Sequence, residues 1–238
     1  MLRTIKEIAL AFVRPTLDAL FFCRHLPWSL RWRLLALQPI DVLTNSFVLI
    51  PNLFRRPYTV IHIPVNPERS LRALLFKISG IGPAAETGAI VISLSYRLAP
   101  VHPIPAAVDD VDAAIAWLPW HAAEEFGADP TLMKVSGASA GGNLVLAANQ
   151  RVTSEEFVIR AAVTFYAPVD LRLGPEGKPH PAKFPKKDSI VPLFDAYTAP
   201  SKAKDLDNPR MSPFLVSEET LPVRMLLVIA AMDILVQE

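Results

Sequence analysis

Residues 137–142, Gly-Ala-Ser-Ala-Gly-Gly, constrain the fold of this chain more than any other stretch. A short apolar run, 132–136, precedes them, and a helix-compatible run, 141–152, follows. Glycines flanking a serine at such a junction indicate a sharp strand-to-helix turn, because side chains there would collide with nearby elements. Ser139 is therefore predicted to be a nucleophile beside a helix N-terminus, where amides favour developing negative charge. The alternative is a small-residue turn needed only for close packing.

The rest of the chain alternates strand-like and helix-like segments. Residues 109–117 place their apolar side chains on one side, which predicts a helix. A short polar connection at 66–69 indicates a hairpin between the first two predicted strands. Strands are predicted at 58–65, 71–78, 90–96, 132–136, 159–166 and 225–231. The alternation predicts an α/β fold with a mostly parallel central sheet flanked by helices.

Residues 1–50 are predicted to form an N-terminal helical region, and residues 51–238 the α/β domain. Apolar side chains recur at helical spacing before Pro15 and again before Pro27. One interpretation is a helical cap packed over the domain. The other is a weak membrane-surface association of basic, aromatic-bearing helices. The charges before residue 61 are Arg3, Lys6, Arg14, Arg24, Arg31, Arg33, Arg55 and Arg56 against Glu7, Asp18 and Asp41.

Composition narrows the functional classes. Hydrophobic residues make up 51% of the 238-residue chain, but no run reaches the ~18 uncharged apolar residues of a membrane span. The charges of Lys6 and Glu7 interrupt any signal-peptide core. The single Cys23 excludes an internal disulfide and favours a reducing compartment. A net charge of +1 gives no case for a nucleic-acid partner. These features predict a cytoplasmic protein, and the sequence shows neither a metal-binding Cys/His cluster nor a glycine-rich nucleotide loop.

Several ordered motifs accompany the glycine-serine stretch. Ser-Tyr-Arg-Leu-Ala-Pro occupies 95–100, His-Pro-Ile-Pro-Ala-Ala occupies 102–107, and Met-Ser-Pro occupies 211–213. Asp109 and Asp110 follow the second motif. Together these motifs resemble the hormone-sensitive-lipase-like esterases of the α/β-hydrolase superfamily. The resemblance covers the chain from about residue 58 onward and implies a serine hydrolase of carboxylic esters that needs no cofactor.

The resemblance also implies roles for individual residues. Ser139 matches the nucleophile, and Asp233 matches the acid that orients a catalytic histidine. The backbone N–H of Ala140 would contribute to the oxyanion hole. The implied partner is a small-molecule ester or acyl ligand. The sequence leaves the oligomeric state and the identity of the ester open.

The chain departs from the family ahead of the 95–100 motif. The family carries a His-Gly-Gly-Gly-type loop there, whose N–H groups complete the oxyanion hole. This chain has only residues 79–89, in which Gly80 and Gly82 could form a makeshift turn. If 71–78 is the second family strand in a hairpin, the third strand is missing with its loop. If 71–78 is the third strand, its parallel crossover to residue 90 is unusually short. The hairpin is the favoured interpretation.

The second departure concerns the catalytic histidine, which in the family follows the position of Asp233. No histidine follows Asp233 in this sequence. His180 is the substitute candidate, provided that the polar 170–213 segment folds inward as a lid or binding loop. His102 lies in a motif that is structural in the family. The other histidines, expected at surface or packing positions, are His25, His62 and His121.

These departures predict a fold that is incomplete at the third strand and the C-terminus. They also predict ester hydrolysis near background, because removing one triad member leaves only residual catalysis. Two alternatives stay open. The chain is a non-catalytic relative that binds a ligand or a partner, or it is a shortened product of splicing or of an imperfect gene model.

Overall fold

The computed structural model describes residues 58–77, 88–148, 153–154, 157–179, 193–198 and 207–230, with residue 191 and a few single positions before residue 36. Within these ranges, the eight strands and the two α-helices with defined bounds run as three strands, a helix, a strand, a helix and four strands. They are β1 (Thr59–Asn66), β2 (Arg69–Phe76), β3 (Val91–Leu94), α1 (Ala106–His121), β4 (Lys134–Ala138), α2 (Ala140–Ala148), β5 (Thr153–Ser154), β6 (Phe157–Val158), β7 (Ala161–Phe165) and β8 (Met225–Val228). Short 3-10 turns occupy Pro130–Leu132, Pro175–Gly177, Pro213–Leu215 and Glu218–Thr220, and a π-helical turn, Ala122–Phe126, follows α1.

The first sheet is antiparallel and has the order β1-β2-β3. Its hairpin pairs Ile63 with Leu71 and Ile61 with Ala73, which confirms the predicted hairpin. Alternate side chains of β2 are buried, and Ile63, Leu71 and Ala73 form a core with Ala114 of α1. Because β2 and β3 run antiparallel, the alternative in which 71–78 precedes a parallel crossover is wrong.

The second sheet is parallel and has the order β4-β7-β8. Its register sets Ala138 beside Phe165 and Phe165 beside Val228, so the three strands end level with one another. Among the described strands, none pairs with both β3 and β4, and the two sheets remain separate ladders. The parallel half of the fold therefore presents its carboxyl ends at one edge, beside the start of α2.

The two helices join the sheets. Val108, Val111 and Ile115 of α1 pack against Leu144 and Ala147 of α2 in the largest buried cluster. The periodicity predicted a helix at 109–117, and α1 extends it in both directions, beginning directly after Pro105. Burial of each valine, leucine or isoleucine in this cluster stabilises the fold by roughly 1.5–3 kcal/mol, before the entropic cost of ordering the side chain is subtracted.

Strand β8 differs from its prediction. The run 225–231 is apolar and was expected to be a buried strand, yet Leu226, Leu227 and Val228 are all exposed. Within the described part of the chain β8 pairs with β7 alone, and its side chains point to the two faces of the sheet. Apolar residues are thus exposed at the rim of the parallel sheet.

Two predicted regions are described only in part. The predicted boundary between domains at residues 50 and 51 lies outside the described residues, and it stays a prediction. In the 170–213 segment, Leu171 and Met211 are buried with Ile104, so both ends of that segment belong to the core. A search of the described helices finds none with the length and apolarity needed to cross a membrane.

Candidate active site

Ser139 lies at the turn between β4 and α2. Its φ is 50°, in the left-handed region that residues with a side chain seldom adopt. Its N–H donates to the carbonyl of Phe165 at 2.9 Å. Its own carbonyl accepts from the N–H groups of Gly142 at 2.9 Å and Asn143 at 3.1 Å. The backbone therefore makes the sharp strand-to-helix turn expected from the sequence, and the serine is exposed at its tip.

The glycines of the turn are required by close contacts. A Cβ on Gly137 would lie 2.3 Å from the backbone carbon of Gly141, and one on Gly142 would lie 2.6 Å from the Cβ of Ala167. A Cβ on Gly141 would meet nothing within 4 Å. The expected crowding on both sides of the serine is thus correct for Gly137 but wrong for Gly141. The second crowded position is Gly142, because it packs on the loop after β7.

Ala140 is the first residue of α2. The first four N–H groups of a helix have no partner within it, so the N–H of Ala140 is available beside the serine. This geometry fits the oxyanion role that the family resemblance implies. Gly80 and Gly82, the candidates for the rest of the oxyanion hole, lie outside the described residues.

Asn143 connects the helix behind the serine to two distant segments. Its side chain is buried, and Nδ2 donates to the carbonyl oxygens of Pro168 at 2.9 Å and Met211 at 3.3 Å. Pro168 follows β7, and Met211 ends the 170–213 segment. The contact fixes the first turn of α2, and with it Ser139, relative to both segments.

A buried carboxylate holds the 95–100 motif against the first sheet. Asp110 is fully buried and accepts hydrogen bonds from the Arg97 backbone N–H at 2.9 Å and from the Arg97 and Arg69 guanidinium groups at 2.7–3.1 Å. Arg97 also donates to the carbonyl of Ala106 at 3.0 Å. Burial opposes ionisation of Asp110, but the bonds from Arg97 and Arg69 outweigh it and hold the pKa of this carboxyl below its usual range.

A second ion-pair cluster joins α1 to the 211–213 motif. The Arg210 guanidinium lies 2.6 Å from Oδ1 of Asp109 and 2.8 Å from Oδ2 of Asp112. Burial lowers the pKa of Arg210, but the hydrogen bonds and charges of the two carboxylates outweigh it and raise that pKa overall. Arg210 therefore stays charged and anchors the chain directly before Met211.

Asp170, Tyr96 and Tyr197, which lie near these elements, are poor candidates for a general base. Asp170 forms a bidentate pair with Arg172 at 2.6–3.1 Å, and this hydrogen bonding holds the pKa of Asp170 below its usual range. Burial raises the pKa of the phenols of Tyr96 and Tyr197, which keeps both protonated. None of these groups is poised to accept a proton near neutral pH.

The described histidines lie on elements other than the turn at Ser139. His62 lies on β1, in the other sheet, and His121 ends α1 with its Nδ1 2.8 Å from the carbonyl of Trp117. His102 lies in the turn before α1, where its backbone N–H donates to Leu98 at 3.0 Å. Within the part of the chain that the structure describes, no hydrogen bond joins the hydroxyl of Ser139 to a histidine.

The remaining predicted site residues are not described. Asp233 and His180 both lie outside the described residues, so their predicted roles stay predictions. Among the residues that are described, no group of three or more His, Cys, Asp or Glu side chains could hold a metal ion.

No functional role was predicted for Asp110, Asn143 or Arg210. The adjacent acids Asp109 and Asp110, at the start of a mostly apolar helix, were the available signal for Asp110 and Arg210. A polar asparagine directly after the turn glycines was the signal for Asn143. Their partners lie 13 to 101 residues away, which sequence spacing does not indicate.

Comparison with known proteins places this geometry among hydrolases. A family model described as alpha/beta hydrolase fold matches residues 82–238. The structure of carboxyl esterase 2 from the fungus Tuber melanosporum is similar with a TM-score of 0.63 and 25% identity, covering 76% of this chain and 69% of that one. These similarities confirm the α/β-hydrolase fold predicted from the sequence.

Curated relatives are similar over shorter stretches. Carboxylic ester hydrolase LipN of Mycobacterium tuberculosis is 59% identical over 54 residues, 23% of this chain and 14% of the relative. Arylacetamide deacetylase of Mus musculus is 35% identical over 136 residues, 50% of this chain and 32% of the relative. The matched part of the chain thus spans a third or less of the length of these two relatives.

Proposed function

Since this chain belongs to the alpha/beta hydrolase fold family, in its hormone-sensitive-lipase-like branch, we propose that Ser139 is the nucleophile of a carboxylic ester hydrolase. The family and the named relatives indicate this class of enzyme. The observation that carries the proposal is the backbone at Ser139, held at a φ of 50° on an exposed turn. A strained serine at a helix N-terminus is the arrangement that α/β-hydrolases use for acyl transfer.

The proposed reaction is acyl transfer in two steps. The Ser139 oxygen attacks the ester carbonyl while its proton passes to a base, and the carbonyl oxygen becomes an oxyanion. The N–H of Ala140 donates to that oxyanion, and the alcohol leaves with a proton from the same base. Water then attacks the acyl-serine, releasing the acid and restoring the hydroxyl. The helix dipole of α2 favours the negative charge in both steps.

The register of the parallel sheet supports Asp233 as the acid that orients the base. Val228, at the end of β8, is level with Ala138, which directly precedes Ser139, with Phe165 between them. Neighbouring strands are ~4.8 Å apart, so β8 ends roughly 10 Å from β4. Asp233 follows Val228 by five residues, a distance that a loop at this edge spans easily.

Turnover by this 238-residue chain is expected to be near background. Of its five histidines, three are described, and none of these three bonds to Ser139. His180 stays the candidate base in the proposal. A triad that lacks its base retains only the contribution of binding and the oxyanion hole, which is orders of magnitude below an intact site.

Apolar side chains at the same edge support an acyl ligand. Phe165, Tyr166, Val228 and Ile229 are exposed where β7 and β8 end. Tyr166 is held there by its N–H, which donates to Val228 at 2.7 Å, and its own φ is 41°. This rim also favours the second candidate function, in which the chain binds an acyl ester without hydrolysing it.

Chemical rescue with imidazole tests whether Ser139 is the nucleophile, because the added imidazole takes the place of a base in the protein. Hydrolysis of p-nitrophenyl acetate is measured for the chain and for Ser139→Ala, each with and without added imidazole. We expect imidazole to accelerate the unsubstituted chain at least tenfold more than the variant, because it accepts the serine proton. Equal acceleration of both proteins would contradict the role of Ser139.

Three further outcomes separate the alternatives. A large difference between the chain and Ser139→Ala without imidazole would show a base within the chain, and His180→Ala would then test His180. Saturable binding of p-nitrophenyl acetate to both proteins without turnover, even with imidazole, would support the ligand-binding alternative. A non-cooperative thermal melt would instead favour an incompletely folded product.

A further inference from the structure

Large apolar side chains in the N-terminal region face solvent although their backbone is helical. Val13, Leu17 and Phe21 follow one another at intervals of four residues, and all three are exposed. Trp28 and Trp32 repeat the interval, and each is 61% exposed. Residues four apart on a helix share a face, so the spacing predicts one apolar stripe for each set. Together we call these five residues the N-terminal stripe.

The stripe residues are more exposed than two apolar neighbours. Leu20 and Leu35, one turn or less from stripe residues, are half-buried. A helical cap would bury its apolar face against the domain and expose its polar face. The five stripe residues are exposed instead, and exposed apolar patches of this kind are typical of surfaces that bind a partner or a membrane.

Positive charge accompanies the stripe. The Arg31 guanidinium lies 5.0 Å from the ring centre of Trp28, and Arg24 is exposed between the two sets. Residues 1–60 carry eight Lys and Arg against three Asp and Glu, a net charge of +5. Since the whole chain carries +1, residues 61–238 carry −4. The charge is therefore concentrated in the region that carries the stripe.

We propose that the N-terminal stripe docks the chain on an anionic lipid surface. Tryptophan and arginine suit the boundary between headgroups and acyl chains, because each combines an apolar body with a polar end. The helices would lie in the surface plane rather than cross it. A second copy of the chain is a poorer occupant, since it would bring two regions of +5 together. The proposal is independent of Ser139 and its chemistry.

Vesicle sedimentation of the full chain tests the proposal. At low salt we expect binding to phosphatidylcholine vesicles with about one third phosphatidylserine to be at least tenfold tighter than to phosphatidylcholine alone, because each basic side chain near an anionic surface strengthens binding about fivefold. Binding should weaken as salt shortens the Debye length. Equal binding to both vesicles, or no binding to either, would overturn the proposal.

Matched variants test whether vesicle binding depends on the stripe or on exposed apolar and charged residues in general. Trp28→Ser with Trp32→Ser should weaken binding roughly tenfold or more, whereas Trp120→Ser on α1, where the tryptophan is 66% exposed, should leave it unchanged. Arg24→Glu with Arg31→Glu should weaken binding more than tenfold. The control for charge is Arg72→Glu with Lys134→Glu, two exposed positions on the sheets.

Two results would count against the lipid surface. Equal losses in a test pair and its control would show that the stripe has no special role. If Trp28→Ser with Trp32→Ser abolished a dimer in light scattering but left vesicle binding intact, the occupant would be a second copy instead. Circular dichroism of each variant verifies that its fold is retained.

Discussion

The antiparallel sheet and the parallel sheet are attached to the rest of the molecule in different ways. The antiparallel sheet packs an apolar face on α1 and is fixed through the side chains of Arg69, Arg97 and Asp110. The parallel sheet is fixed to α2 by backbone contact at Gly137 and Gly142. Charge therefore holds the antiparallel sheet in place, whereas close packing at glycines, which have no side chain, holds the parallel sheet. Substitutions should therefore affect the two halves for different reasons.

The largest effect is expected at the charged attachment. Asp110→Ala leaves two guanidinium groups without their buried carboxylate and should lower the free energy of unfolding by about 3–5 kcal/mol. Asp109→Ala, on the same helix, should cost about 1 kcal/mol or less, because Asp109 is half-exposed and Arg210 keeps Asp112. Urea denaturation of the three proteins measures the difference, and similar losses would contradict the assigned role of Asp110.

Acid should weaken the same attachment. The pKa of Asp110 is lower in the folded chain than in the unfolded one, so its contribution is fully present above the ordinary carboxyl pKa. That contribution is lost as the pH falls through the lower folded value. Asp110→Asn should show a shallower loss of stability between about pH 5 and pH 3 than the unsubstituted chain. Parallel pH profiles would show that other groups dominate.

The next largest effect is expected at the glycine attachment. Gly137→Ala should lower the free energy of unfolding by about 2–3 kcal/mol, because its Cβ would overlap backbone that cannot move alone. Gly141→Ala is the matched control, since its Cβ meets open space at the start of α2. It should be neutral or stabilise by up to about 1 kcal/mol. Thermal melts of both variants test the comparison, and a reversed order would refute it.

Asn143 links the parallel sheet to the 170–213 segment, and an intermediate effect is expected there. Asn143→Ala leaves the carbonyl oxygens of Pro168 and Met211 without this donor and should cost about 1–2 kcal/mol. Asn143→Asp keeps the shape but removes the donor, so it should cost at least as much. Urea denaturation measures both, and full stability of the aspartate variant would show that the donated bonds are unimportant.

The smallest effect should have the opposite sign. Ser139→Gly relieves the strain of a positive φ and should raise the free energy of unfolding by about 0.5–1 kcal/mol. Ser136→Gly, within β4, relieves no such strain and should lower it by about 0.5–1 kcal/mol. If both glycine variants lost stability equally, the turn at Ser139 would be unstrained.

Local patterns predicted most of the elements. The polar connection at 66–69 indicated the hairpin, and the serine flanked by glycines indicated the turn between β4 and α2. Both signals are local, because hairpins and sharp turns are decided by a few adjacent residues. The family match to residues 82–238 then confirmed the fold class as a whole.

Local sequence patterns did not indicate the long-range contacts. Gly142, rather than Gly141, is crowded because Ala167 approaches it from the loop after β7. Asp110 is buried because Arg69, 41 residues earlier, and Arg97 meet it there. The exposure of β8 depends on what covers the faces of the sheet, which an apolar run alone does not show.

The hydrogen bond between Leu171 and Ser212 has an evolutionary consequence. The Leu171 N–H donates to the Ser212 hydroxyl at 3.1 Å, so residues 41 apart in the chain meet at the base of the 170–213 segment. When the ends of a segment are fastened in this way, doubling its length adds only about 0.6 kcal/mol of closure entropy. Insertions and deletions between these two anchors can accumulate without displacing Ser139. Descendants of this chain are therefore free to change the length of this segment while they inherit an unchanged turn.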